Sequence, residues 1–256
     1  MLITYSTAVF AFLYQNIGGA CIIPIWWILF HRHSAEKSYF STGRHVPLPY
    51  ARLILPSTIF LYFLPTVALF KPGNSLIALQ NLLAFWQLAP IYVNIPLWFV
   101  NPFVTTDANN NKSRNADIPH LKLLYATTFL ISIAIHWSTI YGISVSTNPS
   151  VSYASVFVPS MYTWKTSLDY GLLWIFQWDW IFCALMYVIP AFVAVCDVQR
   201  LVHGKASTEQ MLGAGIAVVA LTWVGGPGAA ISAVWWWREG KLESVEAKIG
   251  DGKKEL

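Results

Sequence analysis

Three side chains of this 256-residue chain set a titratable group in apolar surroundings: Asp179, Asp197 and His136. Asp179 lies inside an apolar run from about Gly171 to Cys196. A carboxyl group deep in a bilayer costs about 2.5 to 3.5 kcal/mol on insertion scales, so one that is retained calls for a function or a partner. The run is centred near Cys183, which at 1.5 Å per residue puts Asp179 about 6 Å from the midplane. An acid that keeps its proton in such a setting can protonate an epoxide or an alkene. The residues one turn away, Ile175, Phe176, Phe182 and Cys183, with Met186 beyond, give Asp179 an aromatic and apolar face. That face suits a hydrophobic substrate and a developing carbocation. The other reading of Asp179 is a structural hydrogen bond to a neighbouring helix, through Gln15, Asn16 or His136.

Asp197 follows eighteen residues later, which is five full turns, so a continuous helix carries both acids on one face about 27 Å apart. Pro190 between them kinks the helix without closing that gap. Asp197 is expected near a membrane surface, either as a second acid–base group or as the partner of Arg200 three residues on. His136 could orient a carboxyl group or relay a proton, or serve as a packed structural residue. Trp137, Trp174, Trp178 and Trp180 lie deep enough for their rings to stabilise a cation. Trp178 and Trp180 cannot both share the face of Asp179. The expected substrate-binding walls are Phe176, Phe182, Trp137, Trp174 and Met186.

The elements that must position these groups are transmembrane helices. Apolar residues make up 56% of the chain and charged residues 11%, whereas roughly a quarter of a soluble domain is charged. Runs long enough to cross a hydrocarbon core of about 30 Å lie near 8–30, 51–70, 76–100, 121–145, 171–196 and 211–237. The first is not a cleaved signal peptide, since it lacks a basic leader and holds Gln15 and Asn16 within it. Residues 151–163 form a shorter apolar patch, only about 20 Å long as a helix. Counted as a crossing, that patch places thirteen of the sixteen Lys and Arg on one side, whereas six crossings divide them nine to seven. The positive-inside bias therefore favours seven crossings with a cytosolic C-terminus.

The expected fold is all-α, a polytopic transmembrane helix bundle with six clear spans and a short seventh. It occupies residues 1–240, and a charged cytosolic tail follows over 241–256. Lys253-Lys254-Glu255-Leu256 looks like a dilysine retrieval signal of the endoplasmic reticulum, with a distant likeness to a lumenal Lys-Asp-Glu-Leu address, and a Lys-rich soluble tail is the other reading. Asn111-Lys112-Ser113 is a glycosylation sequon on the expected cytosolic side.

Several chemistries are excluded by what is missing. No pair of Asp-rich clusters is present for magnesium-diphosphate chemistry. The six histidines, His31, His33, His45, His120, His136 and His203, do not form the clustered boxes of a di-iron enzyme. Neither a Walker loop nor a dinucleotide fingerprint occurs. The net charge of +4 sits in loops and tail and does not suggest nucleic acid. Cys21, Cys183 and Cys196 fall in apolar runs without metal-ligand or disulfide spacing. No metal or cofactor is expected; the expected partners are membrane lipid and a hydrophobic small molecule.

Further segments carry a family likeness. They are Gln15-Asn16-Ile17-Gly18-Gly19-Ala20 leading to Pro24, Tyr50-Ala51-Arg52 leading to Leu55-Pro56, and the acid-bearing aromatic helix that ends in Asp197. The most specific is Gly226-Pro227-Gly228-Ala229 followed by Trp237-Arg238-Glu239. Together they resemble the integral membrane terpene cyclases of fungal meroterpenoid pathways, of the kind associated with ascochlorin, ascofuranone and macrophorin-like compounds. The resemblance covers most of the chain and departs from the family at Cys196, where an aromatic residue is expected, and at Gln199-Arg200. It implies cyclisation without metal or diphosphate loss. An acid protonates a terminal epoxide or alkene on a prenylated substrate, the chain folds, and carbocation cyclisation follows. A base or a substrate hydroxyl then ends the reaction. By that likeness Asp179 is the acid or its immediate partner, and Asp197 a second acid–base group. Two other functions fit the same buried acid: a sterol-isomerase-like proton transfer, and a proton-coupled small-molecule transporter. Inverted repeats would favour the transporter, and none is visible.

Overall fold

The computed structural model describes residues 7–34, 44–71, 73–100 and 115–252. Every regular element among them is helical. The sequon at Asn111 and the Lys253–Leu256 signal lie outside the described residues. The chain forms two compact units, Met1–Leu124 with Glu239–Leu256, and Tyr125–Arg238.

The first unit holds α1 (Thr7–Ile17), α2 (Gly19–Ser34), α3 (Leu48–Leu69) and α4 (Leu76–Val100). Its first apolar run is two helices rather than one. Gly18 stands between them at φ +119, a conformation that residues with a Cβ avoid. In α3, Pro56 brings no N–H to the ladder, and a turn of π-helix over Ile59–Phe63 follows it, with the Leu64 N–H bonded to the Ile59 carbonyl. α1 packs on α2 and α4, and α3 on α4. Side-chain hydrogen bonds tie these helices together, as polar groups do in apolar surroundings. Thr7 Oγ1 donates to Asn94 Oδ1 at 2.9 Å, Trp86 Nε1 to Thr66 Oγ1 at 2.9 Å, and Gln87 Nε2 to Gln15 Oε1 at 3.3 Å. Gln15 thus bonds to Gln87, and Asn16 to the Phe12 carbonyl of its own helix.

A buried charged cluster also belongs to this unit. Arg44 donates to the Glu239 carboxylate at 2.7 Å and to Asn115 Oδ1 at 2.7 Å. Asp117 accepts the Val46 N–H at 2.9 Å. The Arg44 and Glu239 side chains are 1% and 5% exposed, so each charge depends on the other for the solvation it has lost.

The second unit is built from α5 (Ile118–Ser144) from Tyr125 onward, a short α6 (Tyr153–Phe157), α7 (Leu168–His203), α8 (Thr208–Gly225) and α9 (Pro227–Gly252) as far as Arg238. Serine N-caps at Ser167 and Ser207 start α7 and α8, each hydroxyl accepting one of the orphan N–H groups of the first turn. Small residues at the core, Ala191, Ala194, Val218 and Val234, let helices approach closely without strain.

Four helices, α3, α4, α5 and α7, are long and apolar enough to cross a membrane. The run 211–237 is divided at Gly226, which adopts φ +84, and Pro227 opens α9 in the first helical position, where its missing N–H costs nothing. The short seventh span does not form. Residues 151–163 contain only the five residues of α6, about 7.5 Å of rise, and Pro159 ends that helix. Without a crossing there, the thirteen-to-three division of charge has no basis. Helix α9 continues through residue 240 to Gly252, with Leu242 buried, so helix and expected tail overlap.

Candidate functional site

The second unit carries a cavity of about 790 Å³ that is open along part of its length, within the range of small-molecule sites. Its wall is made by His136, Trp137 and Ile140 of α5, and by Tyr153, Ala154, Phe157 and Val158 in and just after α6. Trp180, Ala184 and Val188 of α7 join Val219, Thr222 and Trp223 of α8 and Pro227 of α9 to complete it. The three α7 residues recur every fourth position, so one stripe of that helix faces the cavity. Most of the lining is aromatic or aliphatic. Two of its hydroxyls are committed to neighbouring backbone: Thr222 donates to the Val218 carbonyl at 2.7 Å, and Tyr153 to the Ile140 carbonyl at 3.3 Å while sharing a 2.6 Å bond with Ser144 Oγ. His136 is the titratable nitrogen base on this wall. No hydrogen bond to its ring occurs among the described residues.

The glycines at the α8–α9 corner position His136. A Cβ on Gly225 would stand 2.9 Å from the Ala229 Cβ and 3.1 Å from Ile133 Cγ1; on Gly228, 2.8 Å from Ser132 Oγ; on Gly226, 3.2 Å from His136 Nδ1. Ser132, Ile133 and His136 lie on one face of α5, so the corner packs backbone against that face. Thr128 and Ser232, 3.0 Å apart between their hydroxyl oxygens, continue the seam.

Among the residues singled out from the sequence, His136 and Trp137 come together on the cavity wall. Asp179 is exposed and does not line it. It is turned about 100° from Trp180, 140° from Ala184 and 180° from Val188, and no hydrogen bond or ion pair reaches it among the described residues. Asp197 meets Arg200 at 3.3 Å, the two side chains 19% and 61% exposed, on the same helix as Asp179 and far from it. Trp174 and Phe182 belong to an aromatic ladder. Trp164 stacks on Trp174 with centroids 5.4 Å apart, Trp174 meets Trp178 at 6.2 Å, and Trp178 meets Phe182 at 6.0 Å. Phe176 is exposed and Met186 half-buried, and neither lines the cavity. Tyr153, Phe157, Thr222 and Trp223 were not anticipated as wall residues. No group of three His, Cys, Asp or Glu side chains able to hold a metal occurs among the described residues.

The family model of the CtvD domain matches residues 1–242. The chain belongs to the CtvD-domain family. Over 239 residues it is 24% identical to the terpene cyclase ctvD of Aspergillus terreus, covering 90% of this chain and 66% of that protein. Its likeness to fungal terpene cyclases therefore stands on the whole domain as well as on motifs. The CtvD-family chain is also 27% identical to the FAD-dependent monooxygenase verC1 of Penicillium polonicum, over 91% of its own length and 28% of that protein. For the FAD-dependent monooxygenase BOA8 of Botryotinia fuckeliana the identity is 25%, over 90% and 29%. The chain thus spans less than a third of the two monooxygenases and about two thirds of the cyclase. No solved structure matches it.

Proposed function

We propose that this chain is an integral membrane terpene cyclase of the endoplasmic reticulum, which opens an epoxide on a prenylated meroterpenoid precursor and directs carbocation cyclisation without metal or diphosphate loss. One observation carries the reading: in a CtvD-family chain, His136 is set on the wall of an aromatic cavity. The His136 imidazolium donates a proton to the epoxide oxygen as the C–O bond to the more substituted carbon breaks. That oxygen becomes a hydroxyl. Alkene electrons of the prenyl chain then attack the cationic carbon, forming the ring bond, and the last cation loses a proton to the now neutral imidazole. No net proton is consumed, and the product is an isomer of the substrate.

The rings of Trp137, Trp180, Trp223 and Phe157 offer π faces to the travelling charge. An imidazolium is too weak an acid to protonate an unstrained alkene at a useful rate, whereas a strained epoxide is within its reach, so this site favours the epoxide branch. With no dinucleotide fingerprint of its own, this chain is assigned no flavin step. In this scheme Asp179 stands outside the chemistry.

The test is conversion of an epoxyfarnesyl phenol by microsomes carrying wild type, His136→Gln or Asp179→Asn, with products identified by mass spectrometry. Cyclised product from wild type and Asp179→Asn, but not from His136→Gln, supports the reading. Loss with Asp179→Asn alone would return initiation to that acid, and no conversion by wild type would overturn the epoxide-opening activity.

A further inference from the structure

Gln177 is 6% exposed within an apolar helix, and its side-chain amide is turned towards α6. Its Nε2 donates to the carbonyl oxygens of Ser155 at 2.8 Å, Val156 at 3.1 Å and Val158 at 3.3 Å. The need for such a donor is written locally. A helix of five residues leaves most of its carbonyls without a helical donor, and the donor due to Ser155 would be residue 159, a proline without an N–H. The start of α6 needs no such help, because Ser152 and Ser155 form a capping box. The short segment is therefore secured at its start by its own serines and by Tyr153 to α5, and at its end by Gln177.

This segment is one wall of the cavity, through Tyr153, Ala154, Phe157 and Val158. Phe157 also meets Trp180, with centroids 5.3 Å apart. Gln177 itself is not part of the lining. We infer that Gln177 is a positioning residue for cyclisation: it clamps the α6 wall over the substrate chain, and so excludes water from the cation. This rests on the proposed cyclase reading. If the clamp opens, water adds to the cation formed on epoxide opening, a C–O bond forms, a proton is released, and the product is an acyclic diol instead of a ring.

The experiment uses full-length protein in microsomes with the epoxyfarnesyl phenol, comparing wild type, Gln177→Met, which removes the donors at similar volume, and Gln177→Glu, which replaces them with acceptors. The expected result is a rise of about tenfold in the ratio of diol to cyclised product in both variants, with total epoxide consumption within about threefold of wild type. An unchanged ratio at comparable consumption overturns the inference. Absence of any wild-type conversion overturns the cyclase reading instead. A second readout remains informative if the variants turn over poorly. Labelling of Val156→Cys, a half-buried position of α6, by a membrane-permeant maleimide, corrected for the native cysteines, should be several-fold faster in the Gln177→Met background. Equal labelling rates would show that Gln177 does not hold the wall.

Discussion

The imidazole of His136 lies against the backbone of Gly226, where a side-chain carbon built on the glycine would stand 3.2 Å from Nδ1 and 3.4 Å from the ring carbon Cγ. Gly226 also adopts φ +84 and ψ 163, a region open essentially to glycine alone, which costs other residues about 1–3 kcal/mol. Gly226→Ala should therefore lower thermal stability in detergent and displace His136 at the same time, so that cyclisation falls further than the folded fraction does. Gly213 has open space at its Cβ position and lies within a helix, where alanine is favoured over glycine. Gly213→Ala should leave both the melting temperature and turnover at or above wild type. Equal behaviour of the two variants would remove the case for a built corner.

Replacing His136 by glutamine keeps approximate volume and polarity and removes the acid–base group. A general acid or base contributes about 10²- to 10⁴-fold to rate, and a loss of that size in turnover of the epoxide is expected with the protein still folded. Turnover of His136→Gln within a few-fold of wild type would assign the proton to another group.

Asp179→Asn should be nearly silent in turnover. The side chain is exposed, has no hydrogen-bond partner among the described residues, and points away from the stripe of Trp180, Ala184 and Val188. The measurement is initial rate on the epoxide under the same conditions as wild type. A drop comparable to that of His136→Gln would show that the acid reaches the substrate.

The long helices were legible because hydropathy sums over twenty residues are insensitive to detail: α3, α4, α5 and α7 coincide with four of the six runs. The same insensitivity hid the breaks. A window of average hydropathy passes through Gly18 and Gly226 unchanged, although positive φ divides the helix at both. Ser152, Ser155 and Pro159 already carried the signal that 151–163 forms a capped turn rather than a span, but the division of Lys and Arg outweighed it. At the site, His136 and Trp137 were legible as polar and aromatic residues within a run. The face of α7 was not, since a costly carboxylate drew attention to the Asp179 side, and one residue's rotation of about 100° separates it from Trp180. Gln177 gave the better clue, being an amide in an apolar run that must find a partner.

Arg44 and Glu239 lie 195 residues apart in sequence, and nothing local to either residue names the other. Their 2.7 Å bond between side chains 1% and 5% exposed leaves a buried charge behind when either is removed. That penalty is about 3–5 kcal/mol for a single truncation, whereas replacing both members by apolar residues is often close to neutral. Arg44→Met and Glu239→Met should each lower the melting temperature in detergent sharply. The double variant should recover more than half of the loss, short of full recovery because the Arg44 bond to Asn115 also disappears. A thermal-melt double-mutant cycle reads the coupling directly. Losses that simply add would mean that the two charges are stabilised independently, by the other groups around them.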